Sequence, residues 1–347
     1  MNLKEIIQAT NTYYCLECGK CTSLCPTARF DSTYSPRVVI EEALQGLQHD
    51  IIHNKKLFSC LTCGICSLKC PSQVDYPAFI QKARAIAMNV GETGFCAHAG
   101  ITQSVARLQA RSPLPQNRLG WVKPGQYEIA KKSDTMFFVG CAPYFETVFE
   151  DIPFRYLDLV ESSIKILNRM NIKPLLNPQE KCCGHDALWL GDTDTFELLA
   201  IHNAKMIKEA GVKQVVFYCP EGFRTFKKDI PEVTDLGGVE VLHISEVILR
   251  AVEKNQLKFG PVSKKITYQD PCRLGRHMRM YDEPRKVLAA IPGLELVEMA
   301  HNREEAICCG TSCFTNCDSF SRQVRVSRLQ EAKDTKAETL ITSCPKC

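Results

Sequence analysis

Two copies of one cysteine motif stand near the start of the sequence. Each copy has three cysteines separated by two residues, a fourth after three more, and then proline. The first cluster motif is Cys15, Cys18, Cys21, Cys25 and Pro26, and the second cluster motif is Cys60, Cys63, Cys66, Cys70 and Pro71. Three thiolates at this spacing surround one corner of a [4Fe-4S] cubane, and the cysteine before proline ligates the other cluster.

Because each cysteine before proline ligates the cluster of the other motif, the two motifs predict two cubane clusters with crossed ligand sets. The first set is Cys15, Cys18, Cys21 and Cys70, and the second is Cys60, Cys63, Cys66 and Cys25. Zinc is the alternative metal, because paired CxxC motifs also bind it. A zinc site has no use for a third spaced cysteine followed by proline, so the motifs favour iron–sulfur clusters.

A different cysteine pattern occurs twice in the rest of the chain. The first copy has Cys141, Cys182, Cys183 and Cys219, and the second has Cys272, Cys308, Cys309, Cys344 and Cys347. Corresponding intervals agree within five residues, which indicates a duplicated unit. Gly222 stands where the first copy would have its fifth cysteine. Its four remaining cysteines are expected to form either an incomplete metal site or a packed remnant with reduced thiols.

Composition limits the classes of protein. The chain has 347 residues and 20 cysteines, and its first residues show no charged-then-apolar secretory leader, so we expect a reducing compartment rather than disulfides. A net charge of +4 predicts no nucleic-acid partner. No apolar run reaches membrane-spanning length. We expect a cytoplasmic location, or a peripheral one at the cytoplasmic face of the membrane through a partner.

The elements that position the cysteines divide the chain into four segments. Residues 1–96 are predicted to be mainly helical, with one helix starting at Ser35 and Pro36 and running to Ile51 and another from Phe79 to Val90. Residues 97–133 are rich in basic residues, proline and glycine, and predict a linker without regular structure. That linker is either a solvated strap or a docking surface for an acidic partner.

Residues 134–255 and 256–347 are predicted to be the two repeats, called here the first repeat and the second repeat. Their cysteines end runs of strand-forming residues, and helices alternate with those runs, which predicts parallel sheets. The predicted helices are 157–170, 196–210, 285–290 and 320–337, and the short strands between them are 173–176 and 294–297. The fold class is therefore α+β and multidomain, with an all-α ferredoxin-like domain followed by a duplicated α/β unit.

Charged residues follow several of the cysteines. Arg273, Arg276 and His277 come directly after Cys272, and His185 follows the first CCG. His277 is the better candidate for donating a proton or steadying an anion, and the alternative for each residue is a structural contact. Cys96, Cys313 and Cys317 match no ligand position and are expected to be free thiols, although Cys313 and Cys317 are close enough to the second CCG for a role beside substrate.

The order of motifs resembles the fused D-type subunit of heterodisulfide reductase and its relatives. The resemblance extends from Cys15 to Cys347 and implies a noncubane [4Fe-4S] cluster, bound by the five cysteines of the second repeat, that acts on substrate sulfur. Five thiolates exceed the needs of a cubane, which suits such an opened cluster. The expected function is a catalytic iron–sulfur subunit that reduces or forms the disulfide of a small thiol or a protein thiol.

The partners implied are redox subunits, namely a flavoprotein, a membrane cytochrome b-type subunit, or both. The chain contains no GxGxxG, GxxxxGK or Ser/His/Asp pattern, so flavin and nucleotide sites are expected in those partners. The alternative function is an electron relay without its own substrate. Such a relay would serve a flavoprotein that oxidises glycolate, lactate or glycerol 3-phosphate and would feed quinone.

Overall fold

The computed structural model describes residues 2–94, 97–113, 115–311 and 319–347. Cys96, Cys313 and Cys317 lie outside the described residues. That these cysteines are free thiols therefore stays a prediction. Within the described residues, no helix is long and apolar enough to span a membrane.

The segment that carries both cluster motifs is helical. Its helices are α1 (Leu3–Ala9), α2 (Lys20–Leu24), α3 (Pro36–Leu44), α4 (Gln48–His53), α5 (Ile65–Leu68) and α6 (Tyr76–Asn89). The Ser35 side chain caps α3 by accepting from the Val38 amide. The predicted helix from Pro36 to Ile51 is divided, because Gly46 adopts a left-handed φ of 76° between α3 and α4.

The prediction that residues 97–133 lack regular structure is wrong. Helix α7 occupies Ile101–Arg111, ahead of the prolines that stop regular structure. The segment is also not a solvated strap, because Arg118 is buried and donates to Glu180 Oε1 at 2.6 Å. Arg107 donates to Asp192 at 2.7 Å. These basic side chains therefore fasten the segment to the first repeat.

The first repeat contains a three-stranded parallel sheet of order β1-β2-β3. Its strands are β1 (Thr135–Phe138), β2 (Gln214–Phe217) and β3 (Glu240–His243), and its helices are α8 (Ala142–Val148), α9 (Tyr156–Arg169), α10 (His185–Leu190), α11 (Thr193–Ala210), α12 (Pro220–Arg224) and α13 (Ile244–Glu253). The prediction of a strand at 173–176 is wrong. Only isolated bridges join Leu175 to Ala130 and Met136.

The second repeat contains a parallel sheet of order β5-β4-β6. Its strands are β4 (Lys264–Gln269), β5 (Leu294–Leu296) and β6 (Thr339–Thr342), and its helices are α14 (Gly275–Met278), α15 (Asp282–Ala289) and α16 (Ser319–Asp334). Leu175 lies beside β1 as β5 lies beside β4, so the two repeats share one arrangement. Cysteines follow the carboxyl ends of β1, β2, β4 and β6, where open parallel sheets gather ligands. The predicted fold class is confirmed.

The helical segment and the first repeat meet at a close backbone crossing. A Cβ built on Gly191 would lie 2.5 Å from the backbone carbon of Arg84, so only glycine fits there. The fully buried Arg84 guanidinium donates to the carbonyl oxygens of Leu57, Cys60 and Trp189. A buried cation with several carbonyl partners joins the second cluster motif to α10.

Candidate metal centres

The two cluster motifs bring their cysteines together in crossed sets. One small cavity is lined by Cys15, Cys18, Cys21 and Cys70, and Cys66 also lines it. Another is lined by Cys25, Cys60, Cys63 and Cys66. Each cysteine before proline thus lies with the other motif, as the predicted ligand sets require.

The backbone conformation of the two motifs directs amide groups at cysteine sulfurs. Glu17 and Thr62 occupy the same place in the two motifs, and both adopt a left-handed φ, 53° and 48°. Their amides donate to the sulfurs of Cys15 at 3.4 Å and Cys60 at 3.3 Å. Amide hydrogen bonds to sulfur tune the reduction potential of iron–sulfur clusters.

The cysteines that line each cavity offer the donor set of an iron–sulfur cluster. At least four thiols, contributed by both motifs, line each cavity, and cubane clusters are held by four cysteine thiolates. In the described part of the chain, one set of three metal-ligating side chains has its donor atoms within 4.8 Å of one another, namely His185, Asp186 and Glu221. That set contains no cysteine.

All five thiols of the second repeat form one connected group. Hydrogen bonds between thiols link Cys272 to Cys308, Cys308 to Cys309, Cys309 to Cys347, and Cys347 to Cys344. The bond from Cys308 lowers the pKa of Cys272 to about 6, against burial and with help from Arg273 and Arg276. Bonds from Cys308 and Cys347 hold the pKa of Cys309 well below its usual value. The site therefore favours the thiolate, the form that binds metal, at Cys272 and Cys309, while the same bonds raise the pKa values of Cys308 and Cys347 well above the usual value.

The four thiols of the first repeat all have raised pKa values. Cys141 donates to Cys182, which donates to Cys183, and the pKa values of all three lie above the usual value. Burial raises the pKa of Cys219 as well. A Cβ on Gly222, where the fifth thiol would be, would lie 3.1 Å from the Phe217 ring. An aromatic side chain therefore crowds the place that a cysteine would need.

A lysine lies beside the first-repeat thiols. The Nζ atom of Lys346, from the CPKC of the second repeat, lies 2.6 Å from both Asp186 and Glu221. It borders the same small cavity as Cys141, Cys182 and Cys219. Although burial opposes it, Lys346 and then His185 hold the pKa of the Asp186 carboxyl below its usual value. Sequence reasoning missed Lys346 and Glu221, whose only signal is their shared place in the two CPxC-type turns.

The charged residues after Cys272 contact the second cluster motif. Arg273 donates to the carbonyl of Thr62 at 2.7 Å and to its hydroxyl at 2.8 Å. Arg276 donates to the carbonyl of Cys63 at 2.6 Å. Leu61, Cys63 and Ile65 pack in one apolar cluster with Cys308 and Val324. The second cluster motif and the second repeat are therefore directly adjacent.

His277 and His185 both contact Arg273, at the place where the second repeat meets the second cluster motif. His277 Nε2 lies 2.8 Å from Nη1 of Arg273 and 3.0 Å from the Thr62 carbonyl. Burial, then Arg273, holds the His277 pKa far below its usual value, so the ring is neutral. Arg273 Nε donates to His185 Nε2 at 2.8 Å. These are structural contacts of the kind expected as the alternative, and proton donation by His277 stays a prediction.

A cavity of about 660 Å³ lies between the repeats and reaches Cys344 and Cys347. Its wall is mostly apolar and comes from α9, α13, α15 and β6. A cavity of this size, apolar with few polar groups, suits a small organic ligand. It gives the second-repeat thiols a neighbouring space that the ferredoxin-like segment does not line.

The fold and the thiol sets define an iron–sulfur protein. The 4Fe-4S dicluster domain model matches residues 14–75, and the Cysteine-rich domain model matches residues 135–227 and 266–347. The chain belongs to the Cysteine-rich domain family, in the arrangement of the D-type subunit of heterodisulfide reductase, which confirms the expected resemblance.

Three relatives illustrate the range of the family. The D-type subunit of the Dihydromethanophenazine:CoB–CoM heterodisulfide reductase of Methanosarcina barkeri is 34% identical over 67% of this chain and 56% of that protein. The EtfAB:quinone oxidoreductase of Syntrophomonas wolfei is 24% identical over 96% of this chain and 54% of that protein. The B-type subunit of the fumarate reductase (CoM/CoB) of Methanothermobacter marburgensis is 26% identical over 96% and 66%, respectively. The chain spans between about half and two thirds of the length of these three relatives.

Proposed function

We propose that this chain is the catalytic iron–sulfur subunit of a heterodisulfide-reductase-like complex. Its cluster motifs would hold two cubane [4Fe-4S] clusters, and the second repeat would hold one noncubane cluster. When bound, these clusters would supply one-electron transfer and, in the second repeat, an iron site for substrate sulfur. A flavoprotein, a cytochrome b-type subunit, or both would exchange electrons with the chain. Reduction of a disulfide to two thiols takes two electrons and two protons.

The direct contact between the second cluster motif and the second repeat carries this proposal. Arg273 and Arg276 each bind a backbone carbonyl of the motif, at Thr62 and Cys63. Cys63 and Cys308 are buried in one apolar cluster. These residues hold the two redox loops together, exclude water between them and fix their separation. A fixed, dry contact favours electron transfer because little reorganisation is needed.

The cavity between the repeats favours a substrate at this site over a relay. It reaches Cys344 and Cys347, and no residue of the cluster motifs lines it. A relay would need no such space beside its terminal thiols. Its apolar wall would hold the organic part of a thiol or disulfide, while the thiol-bearing turn faces the sulfur.

Electron paramagnetic resonance of the oxidised, cluster-loaded protein tests the proposal. We expect a new signal when candidate thiols are added, and we expect Leu340→Trp, which narrows the cavity, to weaken that response. The signals of the two cubane clusters after reduction serve as the internal control. A spectrum that stays the same across small and protein thiols would refute the proposed substrate chemistry.

A relay is the second candidate, and the range of the relatives favours it. Two relatives that align over 96% of this chain are named as an EtfAB:quinone oxidoreductase and as part of a fumarate reductase (CoM/CoB). On this alternative, a flavoprotein dehydrogenase for glycolate, lactate or glycerol 3-phosphate would reduce the chain, which would pass electrons toward quinone. Rapid reduction by such a flavoprotein, with no response to thiols, would support the relay.

A further inference from the structure

An ion pair links equivalent turns of the two repeats. Glu221 and Lys346 occupy the same place in CPEG and CPKC, directly after the proline. The Lys346 ammonium lies 2.6 Å from Glu221 Oε2 and 2.6 Å from Asp186 Oδ1. The side chain of Lys346 is only 7% exposed. One repeat thus contributes two carboxylates and the other contributes the cation that lies between them.

The pair belongs to a longer polar network. Asp186 accepts from His185 Nδ1 at 2.9 Å, because Arg273 donates to the other ring nitrogen at 2.8 Å. Arg273 in turn binds Thr62. Asp186 and His185 of the first repeat, together with Arg273, therefore connect the turn that carries Cys347 to the loop of the second cluster motif. Buried charges of this kind are strongly destabilising when one partner is removed.

We propose that the first repeat acts as a socket for Lys346 and thereby positions Cys347, the fifth thiol of the second repeat. Lys346 immediately precedes Cys347, whose thiol contacts Cys309 and Cys344. Asp186 and Glu221 hold the Lys346 side chain in one position. This restricts the position of the adjacent Cys347 thiol. The first repeat, in which Gly222 replaces a ligand, positions a ligand of the second. This inference rests on the proposed second-repeat cluster site.

Replacement of the lysine by an uncharged side chain of similar length tests the proposal. In protein stripped of iron, Lys346→Met should make iodoacetamide alkylate Cys344, the buried thiol of the same turn, about tenfold faster, as followed by mass spectrometry, because the turn opens locally. In cluster-loaded protein the variant should lose about four irons per chain and the second-repeat signal, while both cubane signals remain. Glu221→Gln should act in the same direction.

Two controls separate positioning from general loss of stability. Lys213→Met removes a surface lysine that pairs with Asp134 at 2.7 Å and is 77% exposed, and it should leave alkylation and iron content unchanged. The exchange variant Glu221→Lys with Lys346→Glu keeps one cation and two carboxylates at the site. It should recover slow alkylation and full iron content.

Each result bears on one of the two proposals. Wild-type alkylation rates in both Lys346→Met and Glu221→Gln would overturn the socket, as would failure of the exchange variant to recover. Should Lys346→Met not fold, Glu221→Gln and the exchange variant decide. The alkylation comparison needs no cluster and no substrate, so it stands even if wild-type protein shows no response to thiols and the proposed function fails.

Discussion

The guanidinium of Arg273 binds both the carbonyl and the hydroxyl of Thr62, at 2.7 and 2.8 Å. Arg273 follows the first thiol of the second repeat, and Thr62 lies between two thiols of the second cluster motif. Residues far apart in sequence are thus fixed within one hydrogen bond of each other. Two redox loops that share this contact cannot move independently.

Arg273→Lys should weaken this contact. A lysine offers a compact cation without the planar fork of donors, so it cannot bind both oxygens of Thr62 and His185 together. We expect the free energy of unfolding to fall by about 1.5–3 kcal/mol. Freeze-quench electron paramagnetic resonance should show slower electron arrival at the second repeat.

The control for this prediction is Arg155→Lys. Arg155 is half exposed and pairs with Glu146 and Asp158 at the surface, where ion pairs contribute little. We expect that variant to match wild type in both measurements. Equal electron transfer in Arg273→Lys and wild type would contradict the role given to this contact.

Gly191→Ala should damage the junction between the helical segment and the first repeat. The new methyl group would meet the Arg84 backbone, and alanine is strained at a φ of 100°. Together these costs are about 3–5 kcal/mol. Gly46→Ala is the matched control, since Gly46 also has a positive φ but open space around it. It should lower the free energy of unfolding by about 1–2 kcal/mol. Equal losses of stability for the two variants in denaturant unfolding would contradict the importance of the close contact between Gly191 and the Arg84 backbone.

Serine variants should reveal the crossed ligand sets. Cys25→Ser and Cys60→Ser should perturb the same cubane signal in the reduced protein, and Cys70→Ser and Cys15→Ser should perturb the other. The reason is that each cysteine before proline lines the cavity of the other motif. If Cys25→Ser instead affected the signal that depends on Cys15, the assignment of clusters to motifs would be wrong.

His243 should make stability depend on pH. Burial lowers its pKa from 6.5 to about 4, so the folded protein keeps the ring neutral while the unfolded chain takes up a proton. Stability is therefore complete above pH 6.5 and falls as the pH drops toward 4. The loss at pH 5 should be about 2 kcal/mol.

His243→Asn tests this dependence by denaturant unfolding at pH 7 and pH 5. Asparagine can still accept from the Ser245 amide, as the His243 Nδ1 atom does at the start of α13. We expect the variant to lose less stability than wild type between these pH values. His49→Asn, at an exposed ring, should behave like wild type. An equal pH dependence in all three proteins would show that His243 is not responsible.

Several features were predictable from local sequence. The helices α3 and α6 follow from their caps and apolar spacing, although Gly46 divides the longer helix that was predicted. Residues 97–133 show the limit of composition, because proline and glycine at one end concealed α7. The basic residues of that segment suggested solvent exposure, yet Arg118 is buried by its pairing with Glu180, 62 residues away.

The sequence by itself determined the cysteine sets, the duplication and the class of cofactor, because ligand spacing is local and each motif carries its own geometry. Only the tertiary structure decided what surrounds those sets. It placed His277 against Thr62 and Lys346 between Asp186 and Glu221, 160 residues from the former. Such contacts depend on how two similar sheets and a helical segment pack, and no interval along the chain records that packing.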